Sequence, residues 1–229
     1  MSGWLIGLPL NSGPISFILA LEQGNEFASA ASKAIMLGIM SVFVFSVVYS
    51  RLAIYLGWVP SVVGGLSSFF LSTYLLDAVS LPLLVGFASA LVAMAVCLTL
   101  MPKVASDKLP LATPSWELPA RMISATALVF IITGVAQVLG PQLTGLLTPF
   151  PIYATVLGVF IHRSEGGGQA VRLLRGVVAG SLTSLFFLLV ISATLVPWGV
   201  GNSFVCAICI GLLTHALLLR FLKPGSSIA

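Results

Sequence analysis

Two short stretches, Asn11-Ser12-Gly13-Pro14 and Thr148-Pro149-Phe150-Pro151, interrupt apolar runs with groups suited to binding rather than to covalent chemistry. Proline removes an amide donor and clashes with the preceding turn, so each stretch predicts a helix break with a new helix starting at Pro14 and at Pro151. A helix start carries unpaired N–H groups and a partial positive charge, which suits a neutral polar or anionic ligand. Asn11, Ser12 and Thr148 would add hydrogen-bonding side chains, and Phe150 or Tyr153 an aromatic wall. His215 and Glu22 are the candidate coupling groups. An ionisable residue within a span is a functional hypothesis by default, although a neutral histidine hydrogen-bonded between helices is commoner, and Glu22 would serve only if the first span sits deep.

Other chemistry is poorly supplied. The sequence has no Walker A loop, HExxH pair or Gly-x-Ser-x-Gly elbow, and all six acids (Glu22, Glu26, Asp77, Asp107, Glu117, Glu165) fall at span ends or in loops. An ATP-driven pump acting alone is excluded, and the expectation is a protein that is not an enzyme. Cys206 and Cys209 are three apart, but His215 falls on roughly the opposite helix face; no metal and no cofactor are expected. Gln137 reads as interhelical glue.

The elements that hold these residues are apolar. With 59% hydrophobic and 7% charged residues and a mean hydropathy of +1.14, the chain belongs in a bilayer and not in water. A span needs about 20 apolar residues, and eight segments qualify: 4–21, 33–54, 58–76, 81–101, 120–140, 142–162, 171–196 and 200–222. The first lacks a basic start and a small-x-small cleavage site, so it reads as retained and not as a signal peptide. Lysine and arginine collect in short cytoplasmic loops. With eight spans, nine of the ten basic residues share one side, and only Lys33 falls opposite. Both termini are therefore expected in the cytoplasm, and the net charge of +4 reports orientation, with no support for nucleic acid as a partner.

Spans 1 to 3 resemble spans 6 to 8. Laid over one another, GPISFILALEQGNEFASAASKAIMLGIMSVFVFSVVYS and FPIYATVLGVFIHRSEGGGQAVRLLRGVVAGSLTSLFFLLVIS bring Pro14 to Pro151 and Gly38 to Gly176. Five spans separate the copies, an odd number, so they must cross in opposite senses, which is an inverted-topology repeat. The fold expected is an all-α polytopic membrane protein of eight transmembrane helices in two inverted halves, with helices 1 and 6 discontinuous. Residues 1–101 form the first half, 102–119 a cytoplasmic linker and 120–229 the second half. GVVAG at 176–180 has the spacing for close helix approach, chiefly an internal packing face and less readily a homo-oligomer contact.

The stretch from RMISATALVFIITGVAQVLGPQLTGLLTPFPIYATVLGVFIHRSEGGGQAVRLLRG to FVCAICIGLLTHALLLRF, residues 119–222, resembles the GlpM-type small four-span proteins of the bacterial inner membrane. Those share a Leu/Pro/Phe-Pro element, a Ser-Glu-Gly loop and a basic start to the next helix. The resemblance implies that the chain is a fused pair of such units in that membrane, and it carries a link to envelope polysaccharide production.

Paired Gly/Pro interruptions at matching places in inverted halves point to the substrate site of a transporter. The function expected is a small secondary transporter or facilitator for a neutral polar or anionic solute, working by alternating access. The rival reading is a non-transporting membrane subunit of an envelope polysaccharide or lipid pathway.

Overall fold

The computed structural model describes residues 12–104 and 117–222. Among these every regular element is an α-helix: α1 (Ser12–Glu22), α2 (Asn25–Tyr55), α3 (Trp58–Asp77), α4 (Leu83–Leu100), α5 (Glu117–Leu147), α6 (Ile152–Glu165) and α7 (Gly167–Leu222). Four are long and apolar enough to cross a membrane, α2, α3, α4 and α7, and Gly134–Leu147 of α5 together with α6, bent by 43° where they meet, is long and apolar enough only as a pair. The chain is an all-α multi-pass membrane protein. Its surface is the reverse of a soluble protein's. Leu71, Leu84, Val92 and Leu212 stand more than half exposed, whereas Ser16, Ser32, Ser41, Ser46 and Thr148 are fully buried. Lipid solvates the first set, and only protein can hydrogen-bond the second.

Two of the seven helices are not straight. Gly199 in α7 has φ 74° and ψ 176°, and Gly140 in α5 has φ 71° and ψ 172°; an L-residue side chain resists both, and each is flanked by a proline, Pro197 or Pro141. In α7 the consequence is a hairpin. Thr183 Oγ1 lies 3.3 Å from His215 Nδ1, and the Phe187 and Phe204 rings are 6.1 Å apart. A straight helix, rising about 1.5 Å per residue, would separate Thr183 from His215 by about 48 Å. Residues 200–222 therefore fold back along 167–198.

The core is the pair of α2 with residues 167–198. Ser29 and Ser192 exchange hydrogen bonds, each hydroxyl donating to the other's carbonyl, at 2.8 and 3.2 Å, and at the far end Gly167 abuts the Ala53 carbonyl. The two helices thus run antiparallel. Each opens on a glycine of the same geometry, Gly24 with φ 90° and ψ 166° before α2, and Gly166 with φ 94° and ψ 167° before α7. The helix preceding each glycine packs mainly on the long helix that follows it, and each also meets a ring of the other long helix: Gly13 of α1 faces the Phe187 ring, and Gly158 of α6 faces the Tyr49 ring, both at 3.7 Å.

Helix α4 is tied in by charge at its C-terminal end. Arg175 Nη1 donates to the carbonyls of Leu98 (3.0 Å) and Met101 (3.1 Å), and Arg51 Nε donates to that of Leu100 (3.2 Å). Carbonyls left over at a helix C-terminus attract cations, so these arginines do more than record the orientation of the chain.

Candidate functional site

The second break lies where the proline pattern places it. Helix α5 ends at Leu147, Thr148–Pro151 are non-helical, and α6 begins at Ile152. Its backbone is rewired locally: Phe150 N–H donates to Leu147 O (3.0 Å) and Ile152 N–H to Phe150 O (2.7 Å). Pro149 and Pro151 have no N–H to offer, so the helical bonds they would have made to the preceding turn are missing.

The break faces inward at mid-depth. Residues 141–165 run parallel to α2, and the pairs in contact set the register. Gly145 abuts Ala31 and Ile35, Leu146 and Pro149 abut Gly38, and the Tyr49 hydroxyl lies 3.4 Å from His162 Nδ1. Gly38 is close to the middle of Asn25–Tyr55, so the break sits near the centre of a helix long and apolar enough to cross the bilayer. Thr148 is fully buried and Pro151 is buried. The Phe150 ring packs against Phe69 and Phe70 of α3, with centroids 5.5 and 5.8 Å away. Thr148 Oγ1 donates to Thr144 O at 2.7 Å, the usual way for a threonine in a helix to satisfy itself. In this conformation the site is filled by aromatic rings and closed.

Of the first interruption, Ser12, Gly13 and Pro14 are helical and belong to α1, so no break falls among its described residues, and Asn11 lies outside them. Ser12 is 6% exposed, and Ser16, one turn on, accepts from Ser32 Oγ at 3.2 Å. Helix α1 meets α2 through the Ser16–Ser32 pair and Phe187 of α7 through Gly13, whereas the second break meets α2 at Gly38 and the aromatic rings of α3. Tyr153, in the first turn of α6, is half-buried.

The remaining candidates separate clearly. His215 is buried against Thr183, an interhelical hydrogen bond within the α7 hairpin. Glu22 is exposed at the end of α1, away from both breaks. Gln137 is exposed on α5, which corrects its reading as glue between helices; Gln142 plays the tethering part, donating to Val79 O at 3.3 Å. Cys206 is half-buried, Cys209 exposed and Cys97 buried. Among the described residues no group of three or more His, Cys, Asp or Glu could hold a metal ion. The sequence reading passed over His162, which pairs with Tyr49 where α6 approaches the far end of α2. The one local signal was a histidine followed by arginine at the end of an apolar run.

No family model, curated protein or solved structure matches the chain.

Proposed function

We propose that the protein is a small secondary transporter or facilitator for a neutral polar or anionic solute in the bacterial inner membrane, with both termini cytoplasmic. The observation that carries this reading is the second break: non-helical backbone near the centre of the fold, turned toward α2 and α3 instead of lipid. In hydrocarbon such backbone is tolerated only against protein or a polar cavity.

The proposed architecture is eight crossings in two inverted halves. Several features support it. The α7 hairpin and the like-angled glycine at 140 divide the two merged helices into four arms. Gly24 and Gly166 open the long helices α2 and α7 with nearly the same dihedrals, and these helices run antiparallel, as copies of opposite sense would. Gly13 on Phe187 and Gly158 on Tyr49 give each half a short helix that packs on its own long helix and touches one ring of the other. Residues 119–222 would then be one four-span unit of the GlpM-like kind and residues 1–101 its degenerate partner.

A carrier must open what is closed here. In a cysteine-free background, Thr148→Cys should react with a small water-soluble thiol reagent in native membranes, and transported solute should slow that reaction. A buried thiol that stays inert under every solute, in a protein shown to be folded, would leave only the scaffold reading. Orientation is tested with single cysteines at Gly24 and Ser164, which should label from opposite faces of the membrane; labelling from one face would overturn the topology.

A further inference from the structure

Six buried serine or threonine hydroxyls have no hydrogen-bond partner among the described residues: Ser41, Ser50, Thr73, Thr144, Thr155 and Ser203. Hydroxyls in membrane helices ordinarily donate to the carbonyl one turn back, and Ser46, Thr148, Ser181 and Thr194 do so here. Four of the six exceptions surround the second break, and they come from four different helices. Ser41 lies one turn beyond Gly38, which touches Pro149. Thr73 lies one turn beyond Phe69, which touches Phe150. Thr144 is one turn before Thr148, and Thr155 one turn after Pro151, whose carbonyl its amide meets at 2.8 Å. Ser41 and Thr144 are fully buried, and Thr73 is 4% exposed.

We propose that these four hydroxyls line the route of a small uncharged solute rich in hydrogen-bonding groups, such as a short polyol or a small amide, past the break. The inference rests on the carrier reading and narrows its solute class. Buried polar groups left unsatisfied are rare and call for a partner; four along one helix break mark a stretch where a second molecule supplies one. Each hydroxyl both donates and accepts, so the set matches a solute that does the same. An ion fits poorly. No Asp, Glu, Lys, Arg or His stands on these four turns, and a bare charge at mid-membrane without a counter-charge is strongly disfavoured. The rings of Phe69 and Phe150 offer the apolar wall on which the C–H face of a polyol or the flat face of an amide can rest.

The test is permeation into proteoliposomes, followed by stopped-flow light scattering, with urea and erythritol as uncharged probes and acetate and phosphate as anionic ones. The parent protein should raise urea or erythritol permeability above that of empty vesicles. Thr73→Val and Thr144→Val, which keep the side-chain shape, should each lower it about fivefold, the equivalent of about 1 kcal/mol for one lost hydrogen bond. Both variants should melt at or above the parent temperature, because each removes an unsatisfied group, so lost permeation cannot be charged to misfolding. Ser50→Ala and Ser203→Ala should permeate as the parent does. Uptake of the anions alone would overturn the assignment and leave the carrier standing; passage of none of the four probes would count against both. Parent-like permeation by the two valine variants would overturn the site itself.

Discussion

Gly38 is where α2 and the second break come closest, and replacing it tests whether that contact is as tight as described. A Cβ on Gly38 would stand 2.7 Å from the Leu146 carbonyl oxygen, 2.7 Å from Pro149 Cγ and 3.0 Å from Leu146 Cα. Ordinary contact begins at about 3.4 Å, so the two segments must part by about 0.7 Å. All three atoms are backbone or proline ring and cannot swing aside. Overpacking of this kind costs about 1–3 kcal/mol, offset by up to about 1 kcal/mol because alanine favours the helix over glycine. The net loss is about 1–2 kcal/mol. For a chain of this size that lowers the melting temperature by about 3–6 °C, measurable by thermal unfolding in detergent. Gly86→Ala is the control. Its Cβ would meet Leu37 Cδ2 at 3.7 Å and Leu81 Cβ at 4.0 Å, both ordinary contacts, so the helix gain alone should remain and the protein should melt no lower than the parent. If Gly38→Ala melts as high as the parent while Gly86→Ala does not fall, the close approach of break and helix is wrong, and the mid-depth register with it.

Gly199→Ala should cost about 1–3 kcal/mol, because φ 74° with ψ 176° is a region open essentially to glycine alone; Gly201→Ala, with open space around it, should change little in the same melting assay. Arg175→Met keeps much of the side-chain bulk and removes two charge-assisted bonds to the end of α4, so it should destabilise by about 1.5–3 kcal/mol, and more than Arg51→Met, whose single bond is exposed. Ser29→Ala and Ser192→Ala should each cost about 0.6 kcal/mol, the size typical of hydrogen bonds between membrane helices, and the losses should add in the double variant, because each hydroxyl donates to a backbone carbonyl that alanine keeps; no loss from either variant would mean that the reciprocal pair does not form.

Where apolar runs carry the signal, sequence and structure agree closely. The segments 58–76 and 81–101 became Trp58–Asp77 and Leu83–Leu100, and Pro149 with Pro151 located the second break to the residue. Helix α2 was read as starting at 33 but starts at Asn25. Its first two turns, NEFASAAS, are small and polar because they bury Ala28, Ala31 and Ser32 against protein, and a hydropathy window sees only what faces lipid. The fold-back at Pro197-Trp198-Gly199 was legible as a gap between spans. What could not be read was tertiary: that Tyr49 meets His162, that Arg175 reaches across to α4, and that Gln137 faces outward while Gln142 forms the tether. The four unpartnered hydroxyls are equally silent in sequence, since a serine bonded to its own helix and one left bare are spelled alike.

The two arginines on α4 bear on how the protein is made. Arg51 precedes α4 in the chain and is already present when that helix leaves the ribosome, whereas Arg175 follows more than seventy residues later. The chain up to Met101 thus enters the membrane with the end of α4 only partly neutralised, and the stronger of its two clasps arrives with α7. Closure of this clasp is thereby timed by translation, and the segment through α4 expressed on its own would present a helix end that water or a stray cation must cover.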